Sequence, residues 1–296
     1  MTTPPDNDSL TTNAEDKFAC LSKLPSLPSV LMDALLQLEG QQNNMTSVTG
    51  LVDKISHDPA LVARLLRIAN SSFYGMSREI ASLREAIVVL GFNRVRELLI
   101  SICFSNVLVK PDMNFDYKDF WHHSMAVADC SRQLAKYAGI NTDIAFTAGV
   151  LHDIGQLVIV FLFSDTTVGQ IFSKPNSYLA SGVQTHITEK EQRILCFDHA
   201  EIGGKAARYW NFPVAIQEAI EQHESAPVSS TVKSLGLLIY TANLLMTEIM
   251  LWDNCDIENR QESLRVALEI LDIPIKKARL SANMGLQFAN HISAVL

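Results

Sequence analysis

Apolar residues recur every three or four positions along most of this chain. An early example is the run from Val30 to Leu38, which follows two prolines and ends at Gly40. Proline before an apolar periodic run and glycine after it are signals for the start and end of a helix. Val158 to Phe163 is rich in β-branched and aromatic residues, but it continues a helical pattern that begins at Ala145. The sequence therefore predicts an all-α fold.

Two breaks divide the predicted helices. The first 16 residues contain no Lys or Arg and no apolar run, so we expect 1–19 to be a disordered polar tail and not a secretory signal. Turn-forming residues around Pro111 separate short helices from longer, more apolar ones. We expect an N-terminal sub-lobe at 20–113, a second lobe at 114–250 and capping helices at 251–296.

The balance of charge narrows the class of partner. The chain has 24 Lys and Arg against 32 Asp and Glu, a net charge of −8. Nonspecific nucleic-acid binding needs concentrated positive charge, so it is not expected here.

The five cysteines never form CxxC, so neither a disulfide framework nor a zinc ribbon is expected. The longest apolar stretches, around Leu157 to Phe163 and Leu235 to Met246, are too short to span a bilayer. We expect a cytoplasmic protein without a membrane span.

Histidine is concentrated in one part of the chain. Six of the eight histidines lie between residues 122 and 223, and one belongs to the dipeptide His152-Asp153. Imidazole nitrogen and carboxylate oxygen are suitable ligands for Zn, Mn or Fe, and a second helix can bring His123 to the same pocket. The alternative is a buried hydrogen-bonded cluster that joins three helices without a metal.

The order of these residues resembles a known superfamily. His123, His152-Asp153, His199 and His223 follow one another as in the metal-dependent HD phosphohydrolases. The N-terminal half resembles a narrower group, the HDOD (HD-related output domain) proteins, which carry LPxLP, DPxL, NSxFYG and AIxxLG. The matching segments are Leu24 to Pro28, Asp58 to Leu61, Asn70 to Gly75, Ala86 to Gly91, Trp121 to Ser124, Leu151 to Gly155, Trp210 to Pro213 and Gln222 to Glu224. Together they cover roughly residues 20 to 250.

The resemblance implies a multi-helix HD-like bundle with an N-terminal helical sub-lobe. It also places His199 and His223 around the same pocket as His152 and Asp153, with a divalent ion (Mn, Fe, Zn or Mg) as the cofactor of an occupied site. In active HD hydrolases a final helix supplies an aspartate to that site, whereas the matching residue here is Asn243. An amide does not compensate the charge of a transition metal as a carboxylate does, so weaker binding is expected.

Two further differences bear on catalysis. The related HD-GYP phosphodiesterases have a lysine after His-Asp-x-Gly and a pair of adjacent histidines further on, where this chain has Gln156 and Gln222. The lysine would neutralise phosphate charge, and the second histidine would help to hold a two-metal centre. Hydrolysis of a phosphodiester by that mechanism is therefore not expected.

The resemblance to HDOD proteins implies a noncatalytic output or scaffold module of bacterial signal transduction that acts through contacts with signalling proteins. A nucleotide or phosphate ligand in the pocket and a homodimer through the C-terminal helices are further expectations. The alternative is a metal-dependent phosphohydrolase acting on a nucleotide or other phosphate ester. In that case His123, His152 and Asp153 are the ligands of a degenerate HD site in which Asn243 is tolerated.

A turn in the N-terminal half is a candidate partner surface. Asn70, Ser71, Phe73 and Tyr74 lie in a segment of turn formers that interrupts the helical pattern. An exposed aromatic turn is a common recognition device. The alternative is a helix-terminating turn that packs on the core.

Overall fold

The computed structural model describes residues 16–39, 45–71, 73–76, 78–172, 184–225, 232–250 and 257–292. Within these ranges the chain forms fifteen α-helices, two short 3-10 helices and no strand. The predicted all-α fold is confirmed. Most of the predicted tail lies outside the described residues, and its last part, from residue 16, belongs to the 3-10 helix Asp16–Lys23.

The N-terminal part is a set of short helices packed around a longer one. They are α1 (Ser29–Leu36), the 3-10 helix Gln37–Glu39, α2 (Met45–Ser56), α3 (Pro59–Ala69), α4 (Leu83–Leu90) and α5 (Phe92–Val107). α5 contacts α1, α3 and α4, and every residue from Val95 to Ser105 is buried. This burial arises because the other helices cover α5 on several sides.

Local signals set the ends of several helices as predicted. The Asp58 carboxylate caps α3 by accepting hydrogen bonds from the N–H groups of Ala60 and Leu61 at 3.0 and 3.1 Å, and Pro59 is the first helical residue. α4 ends at Gly91, whose φ of 84° lies in the region that favours glycine. These contacts satisfy backbone groups that a helix end leaves without intrahelical partners.

The second part begins after a non-helical connection that contains Pro111. Its helices are α6 (Tyr117–Ala138), α7 (Thr142–Leu151), α8 (Ile154–Leu162), α9 (Asp165–Phe172), α10 (Gln184–Leu195), α11 (His199–Tyr209), α12 (Val214–Gln222), α13 (Leu235–Met250), α14 (Ile257–Leu271) and α15 (Ile275–Ile292). The segment from Val158 is helical as far as Leu162, as predicted.

One stretch, Thr142–Leu162, is long and apolar enough to cross a membrane by length and composition, with a mean hydropathy of 1.7. In the fold 89% of its apolar window is buried inside the protein. The stretch comprises α7 and α8, and the chain turns between them at His152 and Asp153. Burial to this extent is typical of core helices.

α6 is the central helix of the second part. It packs against α7, α13 and α15, and 17 of its 22 residues are buried. α15, which belongs to the predicted capping region, lies directly along α6. Gly285 permits this close approach, because a Cβ atom at that position would overlap the carbonyl oxygen of Ala126 on α6.

One buried ion pair and one half-buried ion pair connect α5 to the second part. Arg132 on α6 donates a hydrogen bond to Glu97 at 2.8 Å, and Arg96 on α5 donates one to Asp143 on α7 at 3.0 Å. Arg132 also pairs with Asp129 on its own helix. Removing one partner of a buried pair leaves an uncompensated charge, so these contacts make the relative placement of α5, α6 and α7 specific.

We expect Gly285→Ala to lower the free energy of unfolding by about 1–3 kcal/mol, because the added methyl group forces α15 away from α6. Gly169→Ala in α9 is the matched control. A Cβ atom there meets nothing within 4 Å, so the change should raise stability by roughly 0.5–1 kcal/mol through helix propensity. Urea unfolding followed by circular dichroism measures both, and equal effects would contradict the close packing.

Candidate metal centre

His152 and Asp153 occupy the turn between α7 and α8, and both side chains are buried. The Nδ1 atom of His152 lies 2.8 Å from the carbonyl oxygen of Gly149, which orients the ring. Gly155 allows the start of α8 to meet the start of α11, because a Cβ atom at this position would overlap the carbonyl oxygen of His199. This close approach brings His199 to Asp153.

His199 is the first residue of α11, and both its backbone and its ring contact Glu191 on α10. One carboxylate oxygen of Glu191 accepts the backbone N–H of His199 at 2.8 Å and lies 2.7 Å from its Nδ1 atom. Burial acts to lower the pKa of His199, but Glu191 outweighs it and the pKa lies well above its usual value. The Nδ1 proton therefore faces Glu191, while Nε2 lies 3.3 Å from Asp153.

His223 follows the last residue of α12. Its Nδ1 atom lies 2.6 Å from the carbonyl oxygen of Ile220, and its Nε2 atom lies 3.0 Å from Oδ1 of Asp153. A carbonyl oxygen only accepts hydrogen bonds, so Nδ1 donates to Ile220, and this ring orientation leaves Nε2 facing the carboxylate of Asp153. His152 has the same arrangement, with its Nε2 atom 3.3 Å from Oδ2 of Asp153.

Three imidazole nitrogens thus face one carboxylate. The Nε2 atoms of His152 and His199 are buried, and each lies 3.3 Å from a carboxylate oxygen of Asp153. Nitrogen and carboxylate oxygen atoms at such distances share either protons or a cation, and a divalent metal that binds here displaces the protons. A ring N–H anchored on a carbonyl or carboxylate, with the other nitrogen left for a ligand bond, is typical of metal-binding histidines. The cluster can therefore bind a divalent metal.

His123 on α6 and Asn243 on α13 lie at another side of the cluster and contact each other. The Nε2 atom of His123 lies 3.0 Å from Oδ1 of Asn243 and 3.9 Å from Oδ2 of Asp153. Burial, with nearby His152, lowers the pKa of His123 to about 3, so the ring is neutral. Burial would raise the pKa of Asp153, but His152 and the other imidazoles outweigh it and hold that pKa well below its usual range.

Glu224 also lies at the cluster, although it was not among the predicted site residues. Its Oε1 atom is 3.4 Å from Nε2 of His223 and 3.7 Å from Nε2 of His199, and it accepts a hydrogen bond from Nδ2 of Asn243 at 3.2 Å. Adjacency to His223 was the sequence signal for Glu224. Glu191 has no such signal, because it reaches the site from a separate helix.

The potential ligand atoms form two overlapping groups. We call His123, His152 and Asp153 the His123 group, and Asp153, His199, His223 and Glu224 the Glu224 group. Within each group the ligand atoms lie within 4.8 Å of one another. The structure brings together all six residues predicted for this site, which are His123, His152, Asp153, His199, His223 and Asn243.

The aromatic turn after α3 is a separate feature. The side chain of Asn70 donates to the carbonyl oxygen of Ile80 at 2.8 Å and accepts its N–H at 2.7 Å. The N–H of Tyr74 donates to the carbonyl oxygen of Ser71 at 3.1 Å. Phe73 is 38% exposed and contacts a ring on α15. Asn70 thus links the turn to the segment before α4 by two hydrogen bonds. A role of this turn in partner binding stays a prediction.

The fold and the cluster define a class of protein, the all-α proteins in which histidine and aspartate side chains at helix ends converge on one potential metal site. The HDOD domain family model matches residues 24–226, more than half of the chain. This chain belongs to the HDOD domain family, and the resemblance found in its motifs is confirmed.

Three similar proteins illustrate the relationship. An uncharacterized protein of Treponema pallidum (strain Nichols) is 26% identical over 211 residues, which are 70% of this chain and 39% of that protein, so the chain spans less than half of its length. A candidate phosphohydrolase of Shewanella amazonensis SB2B is 26% identical with a TM-score of 0.69, covering 92% of this chain and 97% of the other. A candidate signal transduction protein of Marinobacter aquaeolei VT8 has a TM-score of 0.71 at 20% identity, covering 97% and 61%, and shares the fold.

The lowered pKa of His123 predicts a dependence of stability on pH. The unfolded chain binds a proton at this residue below its ordinary pKa of 6.5, whereas the folded protein does so only near pH 3. The contribution of His123 is therefore complete above pH 6.5 and declines as the pH falls toward 3, by about 1 kcal/mol for each pH unit.

In metal-free buffer, we expect the stability advantage of the wild type over His123→Gln to shrink by about 1.5 kcal/mol between pH 6.5 and 5. Urea unfolding at several pH values measures it. His122→Gln is the control, because the Nε2 atom of His122 contacts Asn290 on α15 and not the cluster. A pH-independent difference for His123→Gln would contradict a buried neutral ring.

Proposed function

We propose that this protein is a noncatalytic output or scaffold module of bacterial signal transduction that holds a divalent metal and passes its signal through protein contacts. One observation carries the proposal. The side chains of His152, Asp153, His199 and His223 converge, yet each is 0% exposed. A small cation fits among buried ligands of this kind, whereas a phosphate ester needs an open concave face to reach them.

The donor set favours one type of metal. His123, His152, Asp153, His199, His223 and Glu224 are the candidate ligands. A set rich in imidazole favours Mn, Fe or Zn over Mg, which prefers oxygen ligands and retains several waters. When bound, such an ion supplies positive charge that neutralises the buried carboxylates. The ligands would then tie together the ends of α7, α8, α11 and α12, which stabilises the folded module.

Two neutral side chains near the site support a noncatalytic role. Gln156 is fully buried at the position where HD-GYP phosphodiesterases have lysine. The amide of Asn243 contacts both His123 and Glu224, at the position where hydrolytic HD proteins have aspartate. Neither amide can neutralise a phosphate or carry the negative charge of a carboxylate ligand.

Contacts with a signalling partner are supported by exposed apolar side chains on α4 and in the turn before it. Val88 is 78% exposed, Val89 41%, Phe73 38% and Met76 37%. Exposed Arg84 lies one helical turn before Val88. Adjacent Val88 and Val89 on α4 are exposed together, and exposed apolar patches mark sites of protein interaction. A structural neighbour described as a candidate signal transduction protein is consistent with this role.

A metal-dependent phosphohydrolase is the second candidate. It is favoured by Asp153, whose two carboxylate oxygens face separate groups of imidazoles. A carboxylate between two ions is suited to the two-metal mechanism of phosphoester hydrolysis. The similarity to a candidate phosphohydrolase points the same way.

Metal content and turnover separate the two candidates. The full chain is purified without chelator and its metals are measured by mass spectrometry, together with Asp153→Ala and the control His122→Ala. We expect bound Mn, Fe or Zn in the wild type and in His122→Ala, and at least tenfold less in Asp153→Ala.

The same samples are then tested for hydrolysis of p-nitrophenyl phosphate and bis-p-nitrophenyl phosphate with added Mn. We expect equal background rates in the wild type and in Asp153→Ala. Turnover that the wild type shows and Asp153→Ala loses would establish the phosphohydrolase. Circular dichroism of each variant confirms that any loss is not a loss of folding.

A further inference from the structure

The two groups that share Asp153 differ in charge. The His123 group has one carboxylate, that of Asp153, whereas the Glu224 group has two, those of Asp153 and Glu224. A divalent ion in a buried site needs compensating negative charge, because an unpaired charge is strongly disfavoured in a medium of low polarity. With neutral imidazoles, the Glu224 group balances one divalent ion and the His123 group does not.

The Asn243 amide also decides which nitrogen of His123 carries a proton. Its Nδ2 atom donates to Oε1 of Glu224, a carboxylate oxygen that only accepts, so its Oδ1 atom faces His123. An amide oxygen accepts hydrogen bonds, and Nε2 of His123 therefore bears the proton at the 3.0 Å contact. The amide thus occupies the nitrogen of His123 that faces Asp153, and that nitrogen lies 3.9 Å from the carboxylate.

The rings of the Glu224 group have no such amide contact at Nε2. His199 and His223 use Nδ1 to contact Glu191 and the Ile220 carbonyl, so their Nε2 atoms face Oδ1 of Asp153 at 3.3 and 3.0 Å. Oε1 of Glu224 lies close to both nitrogens. Four potential ligand atoms, two of them carboxylate oxygens, therefore surround one position, and a metal ion there displaces the protons of the ring nitrogens.

We propose that a single metal ion binds in the Glu224 group and that Glu224 supplies the negative charge lost where Asn243 replaces aspartate. Asn243 is then a positioning residue that directs Glu224 toward the imidazoles and keeps His123 in a non-ligating state. This inference rests on the proposed function, because it concerns the same metal site.

The test is a titration of the full chain, stripped of metal, with Mn²⁺, in which electron paramagnetic resonance measures free Mn²⁺. We expect one ion per wild-type chain. Glu224→Gln keeps the size and the contact with Asn243 but loses the charge, so it should weaken binding at least tenfold. His123→Ala should change the affinity by less than about threefold, and His122→Ala is its matched control on α6.

Asn243 variants test the positioning role. Asn243→Ala should weaken Mn²⁺ binding about tenfold by releasing Glu224. Asn243→Asp places a second carboxylate in the His123 group, so we expect a second Mn²⁺ ion per chain. A purely structural role for Asn243 would not change the number of ions. If Glu224→Gln does not fold, as judged by circular dichroism, Glu224→Asp with its shorter reach should show intermediate affinity.

The outcomes are distinguishable. Two ions per wild-type chain, or loss of Mn²⁺ in His123→Ala with retention in Glu224→Gln, would overturn this assignment and leave the proposed metal site standing. A wild-type chain that binds no Mn²⁺, Fe²⁺ or Zn²⁺ would overturn the metal site itself. Tenfold weakening confined to the Glu224 and Asn243→Ala variants supports the inference.

Discussion

The buried carboxylate of Asp153 imposes the constraint on which the site depends. An ionised carboxylate with no exposed surface is unfavourable unless positive charge or hydrogen bonds compensate it. Here Nε2 atoms of His152, His199 and His223 surround it, each within 3.3 Å of a carboxylate oxygen. These residues come from the ends of different helices, so the arrangement of the second part of the chain is tied to this one side chain.

Most side chains of the cluster come from helix ends and not from the middle of a helix. His152 follows α7, Asp153 precedes α8, His199 begins α11 and His223 follows α12. Turns there orient the rings through backbone carbonyls one turn earlier, as at His223 and Ile220. His123 is the exception, since it projects from within α6. The irregular spacing of the histidines along the chain follows from the differing lengths of the intervening helices.

The meaning of Asn243 changes once its neighbours are known. The sequence indicates that this amide replaces an aspartate ligand, so that both a ligand and its negative charge are lost. In the structure it contacts His123 and Glu224, and Glu224 places a second carboxylate near His199 and His223. The local charge of the cluster therefore cannot be counted from the motif positions alone. The burial that closes the cluster likewise depends on packing by α6 and α13, which are distant along the chain.

Apolar periodicity, the Asp58 cap and Gly91 act over a few residues, so the helices and their ends follow from local sequence. Motifs in a recognisable order also predicted His123, His152, Asp153, His199 and His223 as site residues. Packing between helices brings Glu191 and Glu224 to them and sets which ring nitrogens face Asp153. The physical reason is that hydrogen bonding, protonation and charge compensation depend on distances of about 3 Å between helices, and no local pattern encodes those distances.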